Sequence, residues 1–356
     1  MKLELFDYNL PKEMIAQSSK KPRDHSKLLV YNRKNKKITH NHFYNLPKYL
    51  KAGDVLVFNN TKVFSARLWG RKETGGKMEV FLLKNVNNKV WEVLIGGKVR
   101  RVGLKIHFKS GLKCEVVKKF DDSIWQIRFN KTTREVMKLT EEIGSTPTPP
   151  YIKELAKLAD YQTIYAKKIG SVAAPTAGFH FTKRLLTELK KQGVQFEYIT
   201  LHVGYGTFQP VKVNDIQKHK MHAEYAEADK ATIKRLWQAK KDGRRIIAVG
   251  TTVVRTLETV FNKQARHKSL AYPKNEFKGW INTFIYPGYK FKFIDAMITN
   301  FHLPKSTLLM LVAAFIQSRG TETSARRAVR LLKSIYQEAI KKRYRFYSFG
   351  DGMLII

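Results

Sequence analysis

Cysteine is nearly absent: Cys114 is the only one in 356 residues, so no internal disulfide can form and the thiol count fits a reducing compartment. Acidic residues are scarce too, with 29 Asp and Glu against 67 Lys and Arg, a formal net charge of +38. That imbalance goes well beyond what solubility requires. It makes a polyanion the expected partner, the bland alternative being lysine enrichment with no ligand behind it. Long hydrophobic runs are missing as well. The longest, Leu308 to Ile316, is too short to span a bilayer, and the opening MKLELFDYNLPKEMIAQ puts acidic and polar residues where a signal peptide needs an apolar core. A cytoplasmic protein with no membrane partner is expected. There is no HExxH or CxxC pattern, internal repeat or low-complexity run.

With 43% hydrophobic residues the chain can bury a substantial core, and its length favours two domains. The segment Gly53 to Thr61 reads as an apolar strand running into polar residues. From Val63 to Ile143 short runs alternate with turn signals: Met78–Leu83, Val90–Ile95, Leu104–Phe108, Leu112–Phe120 and Ile124–Phe129. Period-two alternation in Leu104–Phe108 and Trp125–Phe129 predicts half-buried antiparallel strands and a small all-β barrel. Pro147, Pro149 and Pro150 end it. Beyond them strands alternate with helices: a strand over Phe196–Val203, a helix over Asp229–Asp242, a strand over Arg245–Val249, a helix from Thr252, and helices over Thr307–Gln317 and Ala325–Lys342. The expected fold is mixed α/β: a large barrel-like α/β domain over 1–62 and 146–356, with an inserted small antiparallel β-barrel over 63–145.

The stretch Ser171 to Thr182 is too rich in small residues to fill a core. It reads as a loop feeding a helix capped by Thr182, with Thr176, Ala177, Gly178, Phe179 and His180 either forming a ligand-approachable backbone or a tight structural turn. His180, His202, His219, His222 and His302 all fall in loops or at element ends. His219 and His222 have metal-compatible spacing beside Glu224, yet no further ligand pattern accompanies them, so acid, base, hydrogen-bonding or core roles are favoured over zinc. The glycines of His202-Val203-Gly204-Tyr205-Gly206-Thr207-Phe208 invite comparison with a dinucleotide turn, which fails because Pro210 and Val211 stand where the third glycine and helix start belong.

Gly250 to Glu258 is a strand end followed by a hydroxyl-rich helix start that includes Thr252. Arg255 and Glu258 stand three apart on one helical face, either as a mutual ion pair or as separate anchors for the carboxylate and ammonium of an amino acid. Asn300, His302 and Ser306 form a polar cluster ahead of an apolar, buried helix, a rigid support for a site. Asp351 sits in a glycine-flanked turn and is either a turn residue or a functional carboxylate.

Taken together, these segments resemble the S-adenosylmethionine:tRNA ribosyltransferase-isomerases of queuosine biosynthesis. The likeness runs in order through Asp24 to Leu28, Val57 to Arg67, Pro149 to Ile152, Ser171 to Thr182, Leu201 to Pro210, Met221 to Glu224, Val249 to Glu258, Asn300 to Thr307 and Ser348 to Leu354, nearly the whole chain. Departures are small, such as Phe179 where leucine is usual and Gly352 where alanine is.

The resemblance implies transfer of the ribosyl part of S-adenosylmethionine to the 7-aminomethyl group of a deazaguanine at the tRNA wobble position, with adenine and methionine leaving. It implies an α/β domain with an inserted barrel, S-adenosylmethionine as co-substrate, no metal, and the tRNA anticodon loop as partner of a monomer. Acid and base candidates are then His180, His202, His222, Glu224, His302 and Asp351. Thr176, Ala177, Gly178, Phe179, Gly204, Gly206, Thr207, Phe208, Thr252, Arg255, Glu258, Asn300 and Ser306 are expected to bind the co-substrate, with Phe179, Tyr205 or Phe208 against the sulfonium. Arg23, Lys240, Lys241, Arg244, Arg245, Arg326, Arg327, Lys341, Lys342 and Arg343 are expected to meet phosphates or to be plain solvated faces.

Overall fold

The structure, a computed structural model, describes residues 1–97, 100–120, 123–204, 206, 211–262, 275–317 and 325–356. Contacts divide the chain into two units: Met1–Thr61, Thr163–Lys168 and Pro175–Ile356 form one, and Lys62–Gln162 with Ile169–Ala174 the other. Contacts of the second unit thus continue past residue 145, where the sequence-based boundary stood.

In the first unit nine strands form one mixed sheet: β1 (Lys27–Tyr31), β2 (Ile38–His42), β3 (Val55–Asn59), β4 (Gln195–His202), β5 (Glu224–Ala228), β6 (Ile246–Val249), β7 (Phe277–Ile281), β8 (Ala296–Asn300) and β9 (Gly352–Ile355). Their spatial order is β7-β5-β4-β3-β6-β8-β9-β1-β2. Strands β4, β3, β6 and β8 run parallel. Continuous burial of β3, β6, β8 and β9 explains why these segments read as unbroken apolar runs, since both faces of such strands are covered.

Five helices accompany the sheet: α1 (Lys183–Lys191), α2 (Lys230–Lys241), α3 (Thr251–Asn262), α4 (Thr307–Ile316) and α5 (Ala325–Lys341). Thr182, Asp229 and Ser306 cap α1, α2 and α4 by accepting the backbone N–H three residues on. Leu185 and Leu189 of α1 pack on a core with Phe58, Phe181, Val249, Ile298 and Leu354. Helix α4 is buried from Leu309 to Ile316, as its unbroken apolarity requires.

Strand directions gather the polar segments. The carboxyl ends of β3, β4, β6 and β8 share one edge of the sheet, where open α/β sheets bind ligands. Strand β9 runs against β8, pairing Gly352 with Asn300. Because β1 is parallel to β9, with Leu28 beside Gly352, Asp351 and Ser26 also lie at that edge. Strand β5 opposes β4 and brings Glu224 there as well.

The second unit contains a closed antiparallel barrel. Its six strands, in order, are Arg67–Lys72, Lys77–Asn85, Val90–Gly96, Ile124–Phe129, Lys113–Lys119 and Lys105–His107, and the last pairs back onto the first. Leu68, Val80, Leu82, Val93, Ile106, Val116 and Ile127 are fully buried within this unit. The mixed α/β class and the small antiparallel barrel are those expected from the sequence. Two elements of the barrel unit were not: the strand Arg67–Lys72, and a helix over Thr133–Ile143 in a stretch read as all β. That helix begins with a capping box between Thr132 and Glu135. Among the described residues no helix is long and apolar enough to cross a membrane.

Candidate active site

Asn59 ties the strand ends together. Its Oδ1 accepts from the N–H groups of Thr61 (3.1 Å) and Leu201 (3.0 Å), and its Nδ2 donates to Leu201 O (2.9 Å) and to Thr252 Oγ1 (3.4 Å). Next to it, Thr61 Oγ1 lies 2.8 Å from His202 Nδ1. Burial pushes the His202 pKa below the usual histidine range, Glu227 opposing and Lys168 assisting, so the imidazole is neutral at neutral pH. Gly204 N donates to Glu224 Oε1 at 3.0 Å, and among the described residues a Cβ on Gly204 would meet nothing within 4 Å.

The other carboxylate oxygen of Glu224 is ion-paired with Arg255 Nη1, both side chains being 4% exposed. Arg255 Nε donates to Thr283 O at 3.1 Å, while buried Nη2 has no hydrogen-bond partner among the described residues. Gly250, at φ +95°, makes the turn from β6 into α3, a conformation that favours glycine. A Cβ there would touch Ala177 Cβ at 3.5 Å, so the segment around Ala177 abuts the start of α3.

His180 forms the second cluster. Ser26 Oγ lies 2.8 Å from its Nδ1 and Asn300 Nδ2 3.4 Å from its Nε2, and the ring stacks on Phe43 with centroids 4.7 Å apart. Thr176 Oγ1 donates to Asn300 Oδ1 at 3.2 Å. Burial first, then the Arg345 and Arg23 charges, push the His180 pKa down to about 3.

Several expected site residues are engaged otherwise. Gly178 packs against Tyr165, whose hydroxyl would lie 1.9 Å from a Cβ there. Phe179 is buried, stacked on Phe349 and covered by the Arg23 guanidinium at 5.3 Å. Glu258 and Arg255 do not pair with each other. Glu258 accepts from the N–H groups of Lys292, Phe293 and Ile294 and from Tyr289 Oη, so it anchors that loop rather than a substrate ammonium.

His302 is a core residue: its Nε2 lies 2.9 Å from Thr299 Oγ1, its carbonyl accepts from Tyr8, its N–H donates to Tyr336 Oη, and burial pushes its pKa down to about 3. Asp351 is taken up by the N–H groups of Lys27 and Arg345 and by the Arg345 guanidinium, and it positions a turn. Ser306 is the α4 cap and also donates to Leu303 O. His222 is exposed, its ring closely packed on Gly206, where a Cβ would clash at 2.5 Å. Thr207 and Phe208, with Tyr205, lie outside the described residues.

The basic residues also separate by edge. Lys240 and Lys241 end α2, and Arg244 and Arg245 lie between α2 and β6, at the edge opposite the site. Lys240 is paired with Asp295, Arg244 with Gln195 and Asp242, and Arg245 grips fully buried Asp54 with two nitrogens. Arg326 and Arg327 open α5, and Arg327 lines a cleft with Tyr31, the last residue of β1, again away from the site. Lys341, Lys342 and Arg343 are exposed at the other end of α5, where Lys27 Nζ donates to the carbonyls of Lys342 (2.7 Å) and Arg343 (3.2 Å). With Arg23 they form the positive charge at the site edge. Among the described residues no three His, Cys, Asp or Glu side chains converge to hold a metal ion. Asn59, Thr61 and Ser26 went unassigned in the sequence; the signal available was the polar run Asn59-Asn60-Thr61 directly after an apolar strand.

Known proteins resemble the chain over its whole length. The family model described as "Queuosine biosynthesis protein" matches residues 3–355. A protein of Aquifex aeolicus named S-adenosylmethionine:tRNA ribosyltransferase-isomerase is 47% identical over the full length of both chains. One of the same name from Carboxydothermus hydrogenoformans is 49% identical, also over the full length of both. The crystal structure of S-adenosylmethionine tRNA ribosyltransferase from Thermotoga maritima is similar with a TM-score of 0.55 and 35% identity, over 99% of this chain and 100% of that one. On the strength of a match that runs from residue 3 to residue 355, the chain belongs to the queuosine biosynthesis protein family.

Proposed function

We propose that the protein is an S-adenosylmethionine:tRNA ribosyltransferase-isomerase. It moves the ribosyl group of S-adenosylmethionine onto the 7-aminomethyl group of a deazaguanine at the wobble position of tRNA, closes an epoxycyclopentane and releases adenine and methionine. The observation that carries this reading is the full-length likeness, at nearly half identity, to proteins bearing that name. The co-substrate needs no metal from the protein, and the enzyme acts in the cytoplasm as a monomer on the anticodon loop.

The chemistry demands a base for a C5′ hydrogen made acidic by the sulfonium and an attacking amine that is uncharged. His202 suits the first role: its imidazole is neutral, only partly buried, held at Nδ1 by Thr61, and two residues from the Gly204 backbone. His180 is engaged at both ring nitrogens and positions Asn300 and Ser26. Buried Arg255, whose Nη2 has no partner among the described residues, provides a donor for the methionine carboxylate beside the N-terminal turn of α3. Glu224 holds that guanidinium and the Gly204 backbone in place. An unpaired wobble nucleotide enters a pocket at small unstacking cost.

Incubation with S-adenosylmethionine and tRNA carrying the aminomethyl-deazaguanine should release adenine and methionine in step with a mass gain of the tRNA. Salt-sensitive tRNA binding with no adenine formed would sink the enzyme reading.

A further inference from the structure

A row of aromatic rings runs outward from the candidate site across three neighbouring strands. His202 on β4 pairs with Tyr225 on β5, and Tyr225 with Trp280 on β7. Directly opposed residues project to one face of a sheet, so the three rings lie in line. His202 and Tyr225 are near-parallel with centroids 6.4 Å apart, and Tyr225 meets Trp280 edge to face at 5.5 Å. Exposure rises along the row, from half-buried His202 and Tyr225 to Trp280 at 47%. The adjoining row on the same face, Thr200, Glu227 and Lys278, is polar, with Lys168 paired to Glu227 and Lys278 to Glu276.

Along one side this row is bordered by hydroxyl, carboxylate and ammonium groups. A protein partner or a lipid surface needs a broader contiguous apolar patch. A nucleobase needs only a ring face on which to lie, with cations near enough to meet its phosphate, and an exposed aromatic residue on a sheet face among lysines supplies both. The row begins at His202, and two inter-strand spacings, about 10 Å, separate its ends. A nucleotide next to the one held at the His202 end can therefore reach Trp280.

We propose that Trp280 and Tyr225 form a stacking platform for an unpaired RNA nucleotide adjacent to the one being modified, with Lys168 and Lys278 turned toward its phosphates. The inference rests on the RNA substrate of the proposed function and adds to it a surface that reads the neighbouring nucleotide by its ring rather than by its charge.

The test compares the full-length protein with Trp280→Ala and Trp280→Phe, using an RNA anticodon stem-loop hairpin as probe. Loss of a base–aromatic stack should weaken hairpin binding in Trp280→Ala by about tenfold or more, while Trp280→Phe keeps most of the affinity. The slope of log affinity against log salt should be the same in all three proteins, because no phosphate contact is removed. S-adenosylmethionine affinity by calorimetry should match wild type in both variants. Hairpin binding should quench tryptophan fluorescence in wild type and much less in Trp280→Phe. Unchanged hairpin affinity in Trp280→Ala overturns the proposal, as does a parallel loss of S-adenosylmethionine affinity, which marks a structural role. Trp280-dependent hairpin binding without adenine release would leave the platform standing and remove the enzyme reading. Adenine release with an unaltered KM for tRNA in Trp280→Ala would do the reverse.

Discussion

His302 keeps its imidazole uncharged down to about pH 3 because it is packed among Tyr8, Thr299 and Tyr336, out of reach of water. In the unfolded chain the same ring takes up a proton near its ordinary value of 6.5. The folded pKa is depressed, so the stabilisation is whole above about pH 6.5 and drains away as pH falls toward 3. His302→Gln should therefore show a shallower decline of the urea midpoint between pH 7 and 4.5 than wild type, by up to one proton in the slope. Equal slopes would mean that His302 is not the buried neutral group described. His180 is depressed in the same direction but sits at the site edge with Ser26 and Asn300. From sequence both were histidines ahead of a helix with the same credentials. Only the neighbours brought by other strands separate one that orients the site from one that fills the core.

At the scale of elements, the caps were readable and their side duties were not. Ser306 was expected to touch substrate, yet its hydroxyl accepts from Leu309 N and donates to Leu303 O, which leaves it little to offer a ligand. Ser306→Ala should cost about 1 kcal/mol of stability through the lost cap. S-adenosylmethionine affinity should stay at the wild-type level by calorimetry, and a tenfold loss there would restore the binding role. The helix Thr133–Ile143 shows the converse: its capping box, Thr132 with Glu135, stood in the sequence, but the alternating runs before it drew the whole region into the β reading. The strand Arg67–Lys72 was hidden because its outward row, Arg67, Trp69 and Arg71, mixes charge with an exposed ring and a glycine interrupts its inward row. A Cβ at Gly70 would collide with the backbone and side chains of the strand Lys105–His107 and its flank at 2.8 Å, so the residue that weakens the pattern is the one that lets the barrel close.

For the whole molecule, the net charge of +38 announces a polyanion but not where it lands. Helix α5 has 17 residues, about 25 Å, and carries basic residues at both ends. Its C-terminal end stands at the site edge and its N-terminal end away from it. Replacing Lys341, Lys342 and Arg343 together by alanine should reduce the slope of log tRNA affinity against log salt by roughly 2, at ~0.7 for each single-strand phosphate contact. The pair Arg326→Ala and Arg327→Ala should leave that slope as it was. The opposite ranking, measured by binding at several salt concentrations, would move the RNA to the other edge. Arg245 illustrates the same division, since its charge is spent on buried Asp54 and holds the start of β6 to the start of β3.

The sequence by itself determined the class of the fold, the inserted barrel and the polar loops that end its strands and start its helices. Apolar period, turn residues and capping residues are local signals, and each is decided within a few positions of chain. Which of those loops meet was decided only by the order and direction of the strands. The carboxyl ends of four parallel strands and the amino ends of their antiparallel neighbours share one edge, and that places Asn59, His202, Glu224, Arg255 and Asn300 there. The same packing spends Glu258, His302, Asp351 and Ser306 on holding the edge in shape, because a buried polar group must find its partner from whichever segment the fold brings beside it.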